Sequence, residues 1–288
     1  MSDHILFYGK GGVGTSTLIS NISAALVETG FKVMQVGCAP QGDSTSILNG
    51  GISVPTLADH LRKHGRISIA DTVHTGFKGV ECLELGDSGN GEAALEQLFE
   101  QSELSGLGEA ARPDYVLYDL SGEHSLSAYH EPIRQRGAKL VYVVTNADFT
   151  SLSAVNRIYA TLEHLGEARP AVPFGGLIPN GISNSFEESF VNDFAHHTKT
   201  QTLGQVPRSL MVRQCELYGK TVIEAAPLST QAYYYRRLAN QIVDQANSLK
   251  IKNQPRTLTA DELRNWAREW ADRLYAMENG LVSDGAAI

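Results

Sequence analysis

The chain has 288 residues, of which 42% are apolar and 19% are charged, so it can bury a full globular core. Its formal net charge of −8 and the lack of a run of lysines or arginines argue against a nucleic-acid-binding protein. We expect no signal peptide, because a strand pattern starts almost at once, and no membrane segment, because no apolar stretch is long enough. The three widely spaced cysteines give no disulfide framework or zinc spacing, which favours a reduced, cytoplasmic location.

Strand-like and helix-like segments alternate up to about residue 248, which predicts βα units around a mainly parallel sheet. The expected strands are Ile5–Tyr8, Lys32–Gly37, Gly79–Leu83, Tyr115–Asp119, Leu140–Thr145, Phe174–Ile178 and Thr202–Gln205. The expected helices are Thr17–Glu28, Thr56–His64, Glu92–Gln101, Ser151–Leu165, Phe186–His196 and Gln231–Asn247. Since nothing divides this region, we expect residues 1–250 to form one α/β domain, a doubly wound sheet with helices on both faces.

Residues 251–288 are expected to form a linker and an amphipathic tail helix. The helix begins with a capping box, in which Thr259 is followed three residues later by Glu262. Its apolar stripe consists of Leu263, Trp266, Trp270, Leu274 and Met277. We favour packing of this stripe on the protein's own core or on a second subunit, with docking to another protein as the alternative. A balanced polar face argues against the third option, binding to a membrane surface.

The most informative motif is a glycine-rich loop between the first expected strand and the first expected helix. This is the strand–loop–helix context of the phosphate-binding motif G-x-x-x-x-G-K-[ST]. Its candidate nucleotide-binding residues are Gly9, Lys10, Gly11, Gly12, Val13, Gly14, Thr15, Ser16 and Thr17. Thr15 stands at the position of the motif's lysine, so this is a deviant P-loop. Backbone N–H groups and a helix N-terminus can still bind phosphate, but the charge that assists its transfer is missing.

Polar residues follow two further expected strands, where a P-loop protein places its magnesium and switch residues. Asp119 can reach Mg²⁺ through water, and the N–H of Gly122 in the D-x-x-G pattern can sense a γ-phosphate. The candidate Mg²⁺ ligands are Ser16 and Asp43. Because these polar residues follow the P-loop in chain order, each at the end of an expected strand, they predict descent from a nucleotide-binding protein.

The same residues resemble a known family. The run FYGKGGVGTSTLISNISAALVETGFKVMQVGCAPQGDST is similar to the start of the nitrogenase iron protein family, the ATP-driven electron donors of nitrogenase and related reductases. The likeness continues in GVECLELG, YVLYDLSGEHSLSAYHEPIR, GGLIPN, VPRSLMVRQCELYGKTVIEAAP and QAYYYRRLANQIVD. It implies a P-loop α/β homodimer with nucleotide near the dimer interface and a nitrogenase-type protein partner. Lys10 matches a lysine that reaches toward the phosphates across that interface.

The resemblance also implies roles for two amide side chains. Asn180 and Gln231 match positions that family members use near the nucleotide base. The alternative is a structural role, with Asn180 as a loop cap and Gln231 as an amide on a helix surface.

The chain departs from the family at the iron–sulfur cluster. In the family, each subunit supplies two cysteines to a shared [4Fe–4S] cluster. Here the first position falls in the cysteine-free stretch Asp87–Glu92, and the second is Leu126. Because such clusters need thiolate ligands, we expect no iron–sulfur cluster. Cys38 and Cys82 match family cysteines that are not ligands, and we expect them to be small buried side chains.

The chain also departs from the family at the ATPase site. Besides Thr15, Ala39 replaces a family aspartate, Gln41 replaces a lysine, and Ser209 replaces an aspartate near the base. Two lost charged contacts predict very slow hydrolysis, since one such loss can cost about 10³-fold in rate.

Three functions follow from these patterns. The favoured one is a cluster-free pseudo-ATPase that binds MgATP or MgADP weakly, if at all, and acts as a regulatory or interaction protein of a nitrogenase-like or related metalloenzyme system. The first alternative is an enzyme, either a slow ATPase that uses Lys10 in trans, with Glu123 as the second candidate catalytic residue, or a metallocluster-assembly ATPase. The third function, an ATP-dependent electron-transfer reductase, is contradicted by the missing cysteines.

Overall fold

The computed structural model describes residues 2–65, 69–86, 112–121, 137–166, 172–248 and 254–280. Within these ranges the chain forms an eight-stranded sheet of order β3-β4-β2-β5-β1-β6-β7-β8. The strands are β1 Asp3–Gly9, β2 Val33–Gly37, β3 His74–Thr75, β4 Glu81–Glu84, β5 Tyr115–Ser121, β6 Ala138–Thr145, β7 Phe174–Ile182 and β8 Val206–Pro207. All neighbouring strands are parallel except β3 and β4, which pair in the antiparallel sense.

Helices cover both faces of this sheet. They are α1 Thr15–Glu28, α2 Leu57–His64, α3 Ile69–Thr72, α4 Phe149–Gly166, α5 Ser185–His197, α6 Leu210–Leu217, α7 Val222–Ala225, α8 Thr230–Ala246 and α9 Ala260–Glu278. Side chains of α1 and α8 share one apolar cluster with one face of β1, and α4, α5 and α9 contribute to the cluster on the other face. The predicted fold class, a doubly wound and mainly parallel α/β sheet of the P-loop type, is confirmed. None of the helices described is long and apolar enough to cross a lipid bilayer.

Most predicted elements are found within two residues of their expected bounds, and three strands are corrected. The strand expected at Phe174–Ile178 continues to Ile182 as β7. The strand expected at Gly79–Leu83 is β4, Glu81–Glu84, because residues 77–79 form a 3-10 turn with Lys78 at φ 47°. The run Thr202–Gln205 is not a strand: Thr202 makes an isolated bridge to Leu177, and β8 follows it. The short α3, α6, α7 and β3 were not predicted from the sequence. The helix expected at Glu92–Gln101 lies outside the described residues.

The tail helix α9 packs on the protein's own core. Trp266 and Trp270 are buried, and both indole Nε1–H groups donate to the Asp193 carboxylate on α5, at 2.8 and 2.7 Å. The preceding segment is tied to α4, where the Asn156 side chain exchanges two hydrogen bonds with the Leu258 backbone. The capping box of Thr259 is formed as predicted. The expectation of packing on the core is therefore confirmed for the two tryptophans.

The register of the strands brings the functional loops to one edge of the sheet. Gly9, at the end of β1, is opposite Ser121 of β5. Gly37, at the end of β2, is opposite both Asp119 of β5 and Glu84 of β4. Parallel strands place their carboxyl ends together, so the glycine-rich loop and the polar residues meet there, at the usual ligand position of open α/β sheets.

Candidate nucleotide-binding site

The glycine-rich loop opens directly into α1. Gly12 and Gly14 have φ values of +88° and +83°, a left-handed conformation that glycine adopts without a steric penalty. Gly11 and Gly12 are exposed, and apart from their chain neighbours no atom of the described residues lies within 4 Å of a Cβ built on either. The N-cap of α1 is Gly14, and no side chain in the described part of the chain caps the helix. The N–H groups of the first turn therefore remain open to an anionic ligand.

Thr15 lies against the base of this loop. Its side chain is 4% exposed, and Oγ1 has no hydrogen-bond partner among the described residues. A Cβ built on Gly9 would lie only 2.2 Å from that oxygen, so the hydroxyl packs onto the end of β1. Thr15 is neutral and buried, and it supplies no charge to the outer side of the loop.

Lys10 lies on the surface side of the loop. Its ammonium Nζ donates to Thr150 Oγ1 at 3.0 Å, at the start of α4, in an exposed contact. The Lys10 ammonium is thus anchored at the protein surface, where a second molecule can approach it.

Asn180 joins β7 to the loop. Its Nδ2 donates to the carbonyl of Val13 at 2.8 Å and to that of Gly14 at 3.5 Å. A Cβ on Gly14 would come within 2.7 Å of the same nitrogen, so a side chain at position 14 would collide with this contact. The structure therefore gives Asn180 the loop-capping contact that was one of its two predicted roles.

Gln231 does not lie on a helix surface, which was the alternative to its predicted role near the nucleotide base. Its side chain is only 6% exposed, and its Nε2 donates to the Pro207 carbonyl at 3.3 Å. The expectation of an amide on a helix surface is therefore wrong, because the first turn of α8 packs against β8. Ser209, where the family has an aspartate, is the N-cap of α6 and accepts from Met211 N.

A buried polar network fixes the loop that follows β2. Gln35 Nε2 donates to Ser20 Oγ on α1, to the Ser44 carbonyl and to Ser44 Oγ, at 3.1 to 3.2 Å. Ser44 Oγ in turn donates to Asp119 Oδ2 at 2.6 Å. Gln35, Ser44 and Asp119 are all at most 2% exposed. The network therefore connects the P-loop helix, the loop after β2 and the end of β5 as one packed unit.

Glu84 is the site residue that sequence reasoning missed. It is fully buried at the end of β4, and its Oε1 accepts from Thr45 N at 2.6 Å and from Thr45 Oγ1 at 2.7 Å. Burial raises the pKa of Glu84 to about 7; the Thr45 hydrogen bonds oppose this, and the charges of Asp119 and Asp43 add to it. The sequence did contain a signal for Glu84, because GVECLELG places this carboxylate at the end of a strand.

The candidate magnesium ligands lie at the same edge of the sheet. Ser16 is half-buried in the first turn of α1, one turn before Ser20, and Asp43 is exposed directly before Ser44. Because Ser20 Oγ donates to the Ser44 carbonyl at 3.1 Å, the two candidates belong to adjoining segments. Hydroxyl and carboxylate oxygens are ligands that Mg²⁺ accepts, so this donor set fits the ion. Gly122 and Glu123 lie outside the described residues.

The cysteines do not fit an iron–sulfur cluster. All three, Cys38, Cys82 and Cys215, are buried, and burial raises the pKa of each thiol, that of Cys82 to about 11. Cys38 and Cys82 are thus the small buried side chains that we predicted. Leu126 and Asp87–Glu92, at the family's ligand positions, lie outside the described residues, but the sequence has no cysteine at either place.

Comparison with known proteins decides the family. Over residues 3–271 the sequence matches the family described as "4Fe-4S iron sulfur cluster binding proteins, NifH/frxC family". The chain belongs to the NifH/frxC family. It is 40% identical over 290 residues to nitrogenase iron protein 2 of Paenibacillus durus, which covers 98% of this chain and 97% of that protein. It is 36% identical over 276 residues to a nitrogenase iron protein of Methanospirillum hungatei, with 92% and 95% covered.

Several solved structures share this fold. The cell division ATPase MinD of Pyrococcus furiosus superposes with a TM-score of 0.66 at 20% identity, covering 85% of this chain and 99% of that chain. A cobyrinic acid a,c-diamide synthase of Mycobacterium smegmatis, solved with an ATP analog and magnesium, also has a TM-score of 0.66 at 20% identity, with 90% and 100% covered. At this identity the likeness shows a common P-loop NTPase fold.

Proposed function

We propose that this NifH/frxC-family protein is a nucleotide-binding pseudo-ATPase without an iron–sulfur cluster, and that it acts as a regulatory or interaction protein of a nitrogenase-like metalloenzyme system. The observation that carries the proposal is the state of the glycine-rich loop. The loop leads into an uncapped helix N-terminus, while the residue at the lysine position, Thr15, is neutral and buried beneath it.

Binding is supported by features that need no lysine. The exposed glycines 11 and 12 leave open space before the first turn of α1, and the helix dipole favours an anion there. Ser16 and Asp43 would hold Mg²⁺, which would neutralise part of the phosphate charge. Asn180 holds the loop in this conformation through two of its carbonyls.

Slow hydrolysis is supported by the loss of two charged side chains. Thr15 offers no cation to a transferring phosphoryl group, and Ala39, 7% exposed in the loop after β2, offers no carboxylate. Losing one charged transition-state contact costs about 10³-fold or more in rate, so both losses together leave little turnover.

The absence of a cluster is supported by the chain's thiols. A shared four-cysteine cluster needs two thiolates from each subunit at the family positions, and this chain has a cysteine at neither. Without a cluster the protein has no electron to deliver, which leaves binding and regulation as the role that its scaffold supports. The named relatives are nitrogenase iron proteins, and this motivates a nitrogenase-type partner and a homodimer.

Calorimetry and turnover assays test the proposal. We expect measurable heat with MgADP and MgATP, and ATP turnover that is near background in the wild type. Thr15→Lys should increase turnover if the remaining residues are competent, while Thr15→Ser is the matched control without a charge. Iron and acid-labile sulfide, measured on anaerobically purified protein, should be near zero. A stoichiometric cubane signal, or the absence of any nucleotide heat, would contradict the proposal.

A slow ATPase that uses Lys10 in trans is the second candidate. The observation in its favour is the position of the Lys10 ammonium, which is exposed at the surface on Thr150. Turnover at family-like rates that Lys10→Ala abolishes and Lys10→Arg preserves would establish this enzyme. Sedimentation velocity with and without MgATP would show whether the second copy that it requires is present.

A further inference from the structure

Two histidines lie one turn apart on helix α2, outside the nucleotide site described above. His60 and His64 are separated by four positions, so their side chains project from the same face of the helix. Their ring centroids are 4.6 Å apart, and the two ring planes are inclined at 39° to each other. His60 is half-buried and His64 is exposed, so a solute can reach the pair from solvent.

The two rings contact each other and leave their nitrogens available. Among the described residues, neither imidazole is held by a hydrogen bond or an ion pair. His197, by comparison, has its Nδ1 at 2.9 Å from the Asp193 carbonyl, and the adjacent His196 ring is inclined at 85° to it. A neutral imidazole carries one nitrogen lone pair, so the α2 pair offers two lone pairs on one helix face.

The spacing of the two rings suits one metal ion bound by both. Metal–nitrogen bonds to imidazole are about 2.0 to 2.1 Å long, so the two coordinating nitrogens must lie within about 4 Å of each other. A centroid separation of 4.6 Å meets this condition, because nitrogens on the facing sides of the rings are closer together than the centroids. The two side chains can therefore chelate an ion without any movement of the helix backbone.

The charges around the pair permit a cation. His64 is the last residue of α2, and Gly65 follows as a left-handed C-cap with φ 67°. The C-terminal end of a helix carries a partial negative charge, which favours a cation there. Arg62 is paired with Asp59 at 2.6 Å, so these two charges offset each other. Lys63 is exposed, and solvent screens its repulsion.

We propose that His60 and His64 bind one divalent transition-metal ion of the class that prefers imidazole, such as Zn²⁺, with water in the remaining coordination positions. No group of three or more metal-ligating side chains is found in the described part of the chain, so this is a two-ligand site whose ion exchanges with solvent. Imidazole suits zinc, copper and nickel, whereas Mg²⁺ prefers oxygen ligands. The site is therefore chemically distinct from the candidate magnesium ligands Ser16 and Asp43, and the inference does not depend on nucleotide binding.

The ion would act on the end of α2 that faces away from its anchoring contacts. At the N-terminal end, Ala58 N donates to the Leu85 carbonyl at 3.0 Å, and Thr56 caps the helix. A Cβ built on Gly42 would lie 2.5 Å from Thr56 Cγ2, so this end also packs on the loop after β2. Chelation by His60 and His64 would join the last two turns and stabilise the helix from the opposite end.

Calorimetry with Zn²⁺ on the full-length protein, prepared without a histidine tag, tests the site. The buffer contains excess Mg²⁺, which fills oxygen-ligand sites and does not compete for imidazole. We expect the wild type to bind one Zn²⁺ per chain at this site. His60→Asn and His64→Asn should each weaken binding about 100-fold, because the second imidazole no longer binds within the same molecule. Hydrogen exchange in α2 should slow when Zn²⁺ is added to the wild type and stay unchanged in both variants.

Matched controls keep the number of histidines and change their spacing. In the His64→Asn protein, Arg62→His places the second imidazole two positions from His60, on a different face, and should not restore binding. Lys63→His in the same background places it three positions away, on the same face, and should restore much of the affinity. His196→Asn, an exposed change on α5, should leave Zn²⁺ binding as it is in the wild type.

Three results would overturn the site. These are no Zn²⁺ heat in the wild type, equal Zn²⁺ affinity in the wild type and the His60→Asn/His64→Asn protein, and slower exchange elsewhere in the chain without slower exchange in α2. The MgADP heat, measured on the same preparations, should be the same in all these proteins. A failure of the metal site is therefore read separately from a failure of nucleotide binding.

Discussion

Replacing Glu84 with glutamine should change how the stability of this protein depends on pH. Glu84 is fully buried, and its pKa is raised to about 7 chiefly by burial, against 4.5 for an ordinary glutamate. The folded protein therefore keeps the proton of this carboxyl at pH values where the unfolded chain has released it. Stability is lost as the pH rises from 4.5 to about 7, because ionising the buried carboxyl disfavours the fold.

The size of the effect follows from these two pKa values. One pKa unit corresponds to about 1.36 kcal/mol, so ionised Glu84 reduces the free energy of unfolding by about 3 kcal/mol at most. Integrating over the range from about pH 5 to pH 8 gives a loss of about 2 to 3 kcal/mol from this single group. Glutamine carries no charge, and its Oε1 can still accept the two hydrogen bonds from Thr45.

Denaturant unfolding at a series of pH values measures this difference. We expect Glu84→Gln to be the more stable protein at pH 8, with the two free energies converging as the pH falls toward 5. Glu269→Gln, an exposed change on α9 with the same loss of charge, is the matched control and should follow the wild type. Parallel profiles for the wild type and Glu84→Gln would refute the reasoning, because they would mean that Glu84 is not held in a buried, weakly ionised state.

Three further substitutions test other contacts. Asn180→Ala should weaken MgADP binding and lower stability by about 1 kcal/mol, since the loop loses its hydrogen bonds to β7; calorimetry and denaturation measure the two effects. Asp193→Ala leaves two buried indole N–H groups without an acceptor and should cost about 2 to 4 kcal/mol, seen as a lower midpoint with a red-shifted tryptophan emission. Gln35→Leu should cost about 1 to 3 kcal/mol and speed hydrogen exchange in the loop after β2, whereas unchanged exchange there would show that the buried network does not hold that loop.

Most of the fold was predictable because its signals are local. Glycine at positions 12 and 14 permits positive φ, and the βα alternation fixes a parallel sheet. The two misplaced strands were short segments, where a turn at residues 77–79 and an isolated bridge at Thr202 replaced part of the expected pairing. The expectation that Gln231 is an exposed amide was wrong, because its position in a helix does not reveal which element packs over it.

The sequence by itself determined the family, the P-loop and the missing charged and thiol side chains, since each is a matter of which residue stands at which position. Only the tertiary structure decided that Glu84 is buried against Thr45, that Gln35 joins α1 to the loop after β2, and that Asp193 receives both tail tryptophans. These partners are 9 to 77 residues apart along the chain. Burial and hydrogen bonding depend on what packs against a side chain, and strand order and register set that packing, so no local pattern contains it.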